Sequence, residues 1–223
     1  KGAEPYDGDD KALDVPAIVG IGGSLLYFVD SYGDKGSAYD AEFEWLGARD
    51  PKPEGVGFYF LDHLTHNVRR GQMRTWSGFY GDVFAFEEQK YFNIKGKATG
   101  LLSQAMIAPA RAIRIPLNES QDDNSQIEEF LKRYNGEGIQ HVALLSDDLP
   151  ATVDRLRAAG VPLMTAPPAT YYEMLDERVP GHGESAEALQ SRGILLDGST
   201  EGGQPRLLLQ IFSECLLGPV FFE

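Results

Sequence analysis

The sequence predicts an α+β fold in which paired βαβββ modules form a half-open barrel around a metal site. Two observations lead to this prediction. Strand-like segments and an amphipathic helix follow one another in the same order in two successive stretches of the chain. Each stretch also opens with an apolar strand that carries a histidine, His63 in the first and His141 in the second. A duplicated unit of this kind is expected to curl its sheet around a shared cavity.

The composition indicates a globular protein with an acidic surface. The 223 residues are 42% hydrophobic and 11% aromatic, which is ample for a packed core. The formal net charge of -14 argues against nucleic acid or an anionic membrane as a partner. The apolar runs fall well short of the roughly 20 residues that span a bilayer, and nothing resembles a signal peptide, so we expect a cytoplasmic protein. The single Cys215 excludes an internal disulfide, and its apolar neighbours predict a core position.

The first 55 residues are predicted to be irregular. They contain a glycine-rich apolar stretch, a short strand at 43–47 and a linker that reads ARDPKPEGVG. The motif GIGGS lacks the strand and helix of a dinucleotide fingerprint, so its glycines are interpreted as turn residues. The polar start of the chain and its apolar end, GPVFFE, lead us to expect a fragment of a longer protein.

The first module is predicted to span residues 56–120. It opens with the strand GFYFLDHL and continues with a helix whose apolar residues recur at three- and four-residue steps. Three strand-like segments follow, KYFNIKG, GLLSQAMIAP and AIRIPLNE. The apolar face of the helix is formed by Met73, Trp76, Phe79, Tyr80 and Val83.

The second module is predicted to span residues 136–223, after a polar segment that contains a short helix. It opens with the strand GIQHVALLS. The next helix is capped by Asp147 or Asp148, has Pro150 in its first turn and ends at Gly160. The remaining strand-like segments are GILLDG, RLLLQIFSE and GPVFFE.

The two strand histidines are the candidate metal ligands. Because His63 and His141 occupy equivalent places in a repeat, they are expected to converge on one cavity. Imidazole suits Fe, Zn, Ni or Cu, and two histidines with one carboxylate form the facial triad of non-haem Fe(II) oxygenases. Glu214 and Glu223 are both available on the last strands, and the alternation of strand residues does not choose between them.

Three other polar residues are predicted to lie outside the ligand set. Asp62 should point to the opposite face of the strand from His63, because neighbouring strand residues alternate. His66, three residues further on, should also point away from the site. His182 lies in the loop PGHGES, and both of these histidines are predicted to be solvated or to support the ligands from behind.

Nine motifs together resemble the bacterial 4-hydroxyphenylpyruvate dioxygenases, which have the vicinal-oxygen-chelate, extradiol-type fold. The resemblance covers nearly the whole chain, and residues 1–55 look like the tail of the family's N-terminal domain with a linker. Residues 56–223 then correspond to the catalytic domain, truncated before the family's C-terminal helix. The motifs are LDHLTHNV, GKATGLLSQAM, RIPLNE, SQIEEFL, EGIQHVALL, TAPPATYYEML, RGILLDG, LLLQIFSE and GPVFFE.

The resemblance implies an Fe(II) enzyme that converts 4-hydroxyphenylpyruvate and dioxygen to homogentisate and carbon dioxide in tyrosine catabolism. It selects Glu223, rather than Glu214, as the third ligand beside His63 and His141. It also implies catalytic roles for Asn118, Gln140 and Gln210. The substrate-binding residues that it implies are Ser103, Pro116, Asn118, Gln126, Phe212 and Phe221.

Two other functions stay open at this stage. A 4-hydroxymandelate synthase would share the fold, the triad and the substrate, although Phe212, Phe221 and the Pro116/Asn118 pair favour the dioxygenase. A non-catalytic binding protein of the same fold would need no metal. Without the resemblance, Pro116 and Asn118 could simply make a turn, and Gln140 could be a half-exposed strand residue. We also expect a homo-oligomer.

Overall fold

The structure, a computed structural model, describes residues 2–3, 15–37, 39–40, 43–44, 46, 54–95, 100–201 and 205–223. The chain divides into two compact units, one formed by Lys1–Glu54 with Gly136–Gly138 and the other by Gly55–Asn135 with Ile139–Glu223. The assignment of 1–55 to a neighbouring domain stays a prediction. No helix within the described ranges is long and apolar enough to cross a membrane.

The first unit contains a three-stranded antiparallel sheet. Its strands are β1 (Gly2–Ala3), β2 (Ala17–Val19) and β3 (Leu25–Tyr27), in that order. The chain turns between β2 and β3 at Gly22 and Gly23, whose φ angles of 61° and 85° favour glycine. The interpretation of GIGGS as a turn is therefore confirmed. The strand predicted at 43–47 is absent from its described residues, Phe43, Glu44 and Leu46.

The second unit is built on a six-stranded sheet. Counted along the sheet, the order is β11-β8-β4-β7-β6-β5, and β9 and β10 form a separate antiparallel pair. The strands are β4 (Phe58–Val68), β5 (Glu87–Lys95), β6 (Gly100–Ile107), β7 (Arg114–Ser120), β8 (Gly138–Ser146), β9 (Leu195–Ser199), β10 (Arg206–Gln210) and β11 (Phe221–Phe222).

Three helices of the second unit begin at a side chain that caps their N-terminus, namely Ser125, Asp148 and Ser185. Asp148 caps the third helix, since its Oδ1 accepts a hydrogen bond from the amide of Ala151 at 3.0 Å. That helix ends at Ala158, two residues before the predicted end. The helices are α1 (Met73–Phe84), α2 (Gln126–Tyr134), α3 (Leu149–Ala158), α4 (Ala169–Glu173), α5 (Leu175–Arg178) and α6 (Ala186–Arg192).

The predicted repeat is visible in the order of these elements. The first copy is β4-α1-β5-β6-β7. The second is β8-α3-β9-β10-β11, with the three short helices α4, α5 and α6 inserted between α3 and β9. In each copy the first strand pairs in parallel with the last, through His63 and Arg114 in the first and through His141 and Phe221 in the second. The α+β class and the duplicated βαβββ order are confirmed.

The two faces of the first module have different roles. Buried Tyr80 of α1 packs with Met106, Ile115 and Leu117 from the strands, so these residues define the helix-covered face. Because strand residues alternate, Pro116 and Asn118 of β7 point to the opposite face. Two expectations about burial were wrong, since Val83 is 51% exposed and Cys215 is exposed.

Candidate metal centre

His63 from β4, His141 from β8 and Glu223 directly after β11 meet at one point of the second unit. Glu223 Oε2 lies 3.5 Å from His63 Nε2 and 3.2 Å from His141 Nε2. One ligand atom from each of the three residues lies within 4.8 Å of the other two. Atoms that share an ion at roughly 2.0–2.2 Å are separated by similar distances. Two imidazoles and one carboxylate thus converge with the spacing that a single cation needs.

The pairing of β11 with β8 brings Glu223 to the histidines. Phe221 lies opposite His141 in the parallel register, and its ring stacks on the imidazole at 4.9 Å. Beyond Phe222 the ladder continues, because the amide of Glu223 donates to the carbonyl of Val142 at 3.0 Å. The amide of Leu144 donates to the carbonyl of Glu223 at 3.0 Å as well. Glu223 is therefore held through its main chain to the strand that carries His141.

Ser213 holds the other side of β11. Its amide donates to the carbonyl of Phe222 at 2.8 Å, and its hydroxyl accepts a hydrogen bond from the amide of Phe222 at 2.9 Å. Ser213 is only 5% exposed, so these bonds are sheltered from water. A strand of two residues is thereby fixed on both of its edges.

The electrostatics of the three side chains favour positive charge. Burial alone would raise the pKa of Glu223, but the hydrogen bonds from His141 and His63 outweigh it and lower that pKa to about 2. Burial alone would lower the pKa of His63, but the hydrogen bonds to Glu223 and Asp62 outweigh it and raise that pKa above 6.5. An ionised carboxylate beside two partly buried imidazoles is an environment that would attract and bind a cation.

The donor set fits a transition metal. Imidazole nitrogens and one carboxylate oxygen suit Fe, Zn or related ions, and two histidines with one carboxylate leave coordination positions open. Glu214, the alternative carboxylate, is exposed and is not a member of this group. The geometry therefore brings together the three residues that the resemblance implied.

Each imidazole has an acceptor behind it, and the one behind His63 was missed by the sequence analysis. Asp62 lies outside the ligand group, as expected, but its Oδ2 lies 2.9 Å from His63 Nδ1. Arg114 Nη1 donates to the other oxygen of Asp62 at 2.7 Å. Gln140 Oε1 lies 3.1 Å from His141 Nδ1. The signal was the dipeptide on the first strand of each repeat, Asp-His in the first and Gln-His in the second.

The remaining two histidines are buried, so of their two predicted roles, exposure to solvent or support of the ligands, the first was wrong. His66 points away from His63, as expected, and its Nε2 lies 2.7 Å from the hydroxyl of Tyr80. Burial lowers the pKa of His66 to about 4 and raises that of Tyr80 to about 12. His182 is 8% exposed, and its Nε2 lies 3.2 Å from Asp176 Oδ1.

Several polar residues form a row across three strands. Ser103 of β6 lies opposite Asn118 of β7, and Asn118 lies opposite Asn67 of β4. Asn67 is fully buried, and neither atom of its amide has a hydrogen-bond partner among the described residues. The sequence analysis singled out Ser103 and Asn118 but not Asn67, whose burial depends on tertiary packing.

The other predicted site residues line two cavities that share Ile211 and Ser213. The larger, of about 650 Å³, is lined in part by Gln126, Gln140, Phe212 and Phe221. The smaller, of about 430 Å³, is lined in part by His63, Glu223 and Gln210. Both have the size of small-molecule sites, and the smaller holds two candidate ligands. Of the described residues predicted to contact substrate, Ser103, Pro116 and Asn118 line neither cavity.

Comparisons with known families identify two matching models. The model of the Glyoxalase/Bleomycin resistance protein/Dioxygenase superfamily matches residues 60–179, which is more than half of the chain. The model described as the N-terminal part of hydroxyphenylpyruvate dioxygenase matches residues 1–44. The first model covers the strand of His63 and the strand of His141.

Comparisons with individual proteins agree with these models. The chain is 59% identical to a 4-hydroxyphenylpyruvate dioxygenase of Pseudomonas sp. and 55% identical to one of Pseudomonas aeruginosa, in each case over 95% of its length. It spans only 59% and 58% of these relatives. A mutant 4-hydroxymandelate synthase from Streptomyces coelicolor shares the fold, with a TM-score of 0.71 at 23% identity over 99% of the chain and 60% of that structure. The resemblance inferred from the motifs is confirmed.

Proposed function

The chain belongs to the Glyoxalase/Bleomycin resistance protein/Dioxygenase superfamily, and from this premise we propose that it carries the metal centre of a 4-hydroxyphenylpyruvate dioxygenase. The reaction converts 4-hydroxyphenylpyruvate and dioxygen to homogentisate and carbon dioxide, in the degradation of tyrosine. The observation that carries the proposal is the convergence of His63, His141 and Glu223. The names of the relatives at 59% and 55% identity support this reaction over others of the superfamily.

The proposed ion is Fe(II), held by His63 Nε2, His141 Nε2 and the carboxylate of Glu223. When bound, the iron supplies the redox chemistry that lets dioxygen decarboxylate the substrate and hydroxylate its ring. The chain contributes the charge of the site. A divalent ion with two neutral imidazoles and one carboxylate keeps a single positive charge, which attracts the keto-acid anion despite the net charge of -14. Glu223, with its pKa of about 2, stays ionised throughout the physiological range.

The aromatic residues of the site would position the ring of the substrate. Phe221 stacks on His141, and the ring of Phe212 meets Phe221 edge-on at 5.9 Å. Both rings line the larger cavity, where they would orient the substrate and exclude water. Gln126, at the start of α2, lines the same cavity and is proposed to contact the phenol group.

The polar residues have three proposed roles. Ser103 and Asn118, opposite each other across β6 and β7, would bind the phenol together with Gln126, and Pro116 would shape the same face. Gln140 would act through His141, because it contacts the Nδ1 of that ring. Gln210 lines the smaller cavity with His63 and Glu223 and would contact the keto-acid end of the substrate.

The matched pair Glu223→Gln and Glu214→Gln tests the proposal. Each variant removes one carboxylate charge from the end of the second module, but only Glu223 lies in the candidate ligand group. We expect Glu223→Gln to lose both stoichiometric Fe(II) and homogentisate formation, and Glu214→Gln to retain both. Iron analysis after anaerobic loading and chromatography of the product are the measurements. A Glu223→Gln protein that keeps its iron and its turnover would contradict the assignment.

The same measurements separate the two alternatives. A 4-hydroxymandelate synthase would release hydroxymandelate rather than homogentisate from the same substrate. A non-catalytic binding protein would bind no iron and would tolerate loss of His63, His141 or Glu223. The homo-oligomeric state and the cytoplasmic location expected from the sequence belong to the proposal as well, and sedimentation analysis and cell fractionation test them.

A further inference from the structure

We propose that Asp62, held by Arg114, is a positioning residue that fixes the tautomer and orientation of His63 for metal binding. This inference rests on the proposed metal centre and adds a residue to it. The carboxylate of Asp62 lies 2.9 Å from the Nδ1 of His63, on the side of the ring away from Glu223. Both side chains are partly buried, at 26% and 20% exposure, so water competes with this bond only in part.

The chemistry of the two groups decides where the ring proton lies. An ionised carboxylate only accepts hydrogen bonds, whereas a neutral imidazole has one N–H donor and one acceptor nitrogen. Two carboxylates face the ring, and Asp62 is the nearer, at 2.9 Å from Nδ1 against 3.5 Å between Glu223 and Nε2, so the neutral ring carries its proton on Nδ1. The lone pair of Nε2 is then left facing Glu223 and His141, which is the state that a metal ligand requires.

Arg114 holds the carboxylate of Asp62 in place. Its Nη1 donates to Oδ1 of Asp62 at 2.7 Å, while the other oxygen, Oδ2, faces His63. Arg114 lies directly opposite His63 in the register of β4 and β7, so the sheet itself sets this arrangement. The ion pair also cancels the charge of Asp62, which leaves the positive charge of a loaded site available to an anionic substrate.

His141 also has a hydrogen-bond acceptor at its Nδ1, but this acceptor is uncharged. Gln140 Oε1 lies 3.1 Å from His141 Nδ1, and an amide oxygen accepts the same hydrogen bond without a negative charge. A carboxylate acceptor makes the imidazole a stronger donor to a metal than an amide acceptor does. We therefore expect the two histidines to be unequal ligands, with His63 the stronger electron-pair donor to the metal.

The experiment compares Asp62→Ala, Asp62→Asn and a surface control, Asp154→Ala, in the whole protein. Asp154 forms an exposed ion pair with Arg192 at 2.8 Å, so its loss removes an aspartate without touching the site. Fe(II) affinity is measured under argon by competition with a chelator. The tautomer of His63 is read separately from the ¹⁵N chemical shifts of its ring in the metal-free protein, at a pH above the raised pKa of His63, where the ring is neutral. Thermal unfolding confirms that each variant is folded.

We expect Asp62→Ala to bind Fe(II) roughly 10- to 100-fold more weakly, the range typical of lost hydrogen-bond partners of metal ligands. The Nδ1–H tautomer of His63 should decline in the same variant. Asp62→Asn should keep the tautomer and lose less affinity, because its amide oxygen can accept the bond as Gln140 does. Asp154→Ala should match the wild type in both measurements.

Two outcomes distinguish this inference from the proposed function. If the wild type binds Fe(II) and Asp62→Ala binds it equally well with an unchanged His63 tautomer, the role of Asp62 is overturned and the metal centre stands. If the wild type binds no Fe(II), the proposed function fails. In that case the tautomer measurement still decides whether Asp62 orients the ring.

Discussion

The two modules build their halves of the candidate metal centre in different ways. In the first module all four strands belong to the six-stranded sheet, and His63 lies on the eleven-residue β4. In the second module only β8 and the two-residue β11 belong to that sheet, while β9 and β10 pair separately. The first module contributes one candidate ligand from a continuous sheet. The second contributes His141 and Glu223 from strands joined by a short ladder.

This difference shows that two copies of the same fold can hold equivalent histidines by different contacts. Behind His63 there is a carboxylate tied to an arginine, and behind His141 there is only a neutral amide. In compensation, Phe221 stacks on His141, and Glu223 is bonded through its main chain to both Val142 and Leu144. The first module orients its ligand by side-chain contacts, and the second orients its ligands mainly by backbone pairing.

The largest expected effect concerns the buried His66 of the first module. The unfolded chain protonates this residue below pH 6.5, whereas the folded protein does so only below about pH 4. The folded state therefore loses stability as the pH falls from 6.5 to 4, by about 3 kcal/mol at roughly 1.4 kcal/mol per pKa unit. Urea unfolding between pH 4 and pH 7.5 measures this loss.

The double variant His66→Leu/Tyr80→Phe is the matched control for this pH dependence. It removes both partners of the buried hydrogen bond, so neither is left unpaired. The difference in unfolding free energy between wild type and variant should grow in favour of the variant as the pH falls. Parallel curves for the two proteins would show that His66 does not limit the acid stability of the first module.

The next effect compares the polar residues that the two modules contribute. Asn118→Ala should retain Fe(II), because Asn118 is outside the ligand group, but it should lose turnover on the order of 10²-fold through poor positioning of the substrate. Gln140→Ala, in the second module, should also weaken iron binding, since Gln140 contacts His141. Iron content and kcat measured on both variants test this contrast. An equal loss of iron in Asn118→Ala and Gln140→Ala would contradict this expected contrast.

The smallest effect concerns the pairing of β11. Ser213→Ala removes the hydroxyl that accepts from the amide of Phe222, at a cost of about 1 kcal/mol. If the whole of this free energy is lost from the metal-binding position of Glu223, Fe(II) affinity should fall by about fivefold. Ser191→Ala is the control, because its hydroxyl donates to the carbonyl of Ala188 on an exposed helix. An unchanged affinity in Ser213→Ala would show that the main-chain bonds of Glu223 suffice.

The fold and the two candidate imidazole ligands could be predicted because their signals are local. Apolar strands, a helix cap at Asp148 and the placement of His63 and His141 in equivalent strands can all be read along the chain. The choice between Glu214 and Glu223 could not be made in this way. It depends on the register of β11 against β8, which joins segments far apart in the sequence.

The errors arose where a tertiary contact overrides a local rule. Asp62 lies outside the ligand group, as expected, but strand alternation did not reveal that its carboxylate contacts the ring of His63 and is held by Arg114 on a neighbouring strand. His66 was expected either in solvent or behind a ligand, but it is buried and pairs with the hydroxyl of Tyr80 on a helix. Cys215 has apolar neighbours in the sequence and is nonetheless exposed.

The backbone bonds of Glu223 have a consequence for how an ion would leave the site. The amides of Leu144 and Glu223 both donate hydrogen bonds between β8 and Glu223, the residue that follows β11. Local opening of that ladder would free the carboxylate while both imidazoles stayed in place. The two amides should then exchange with deuterium at the same rate, because one opening event exposes both. Metal release by this route could be no faster than that opening.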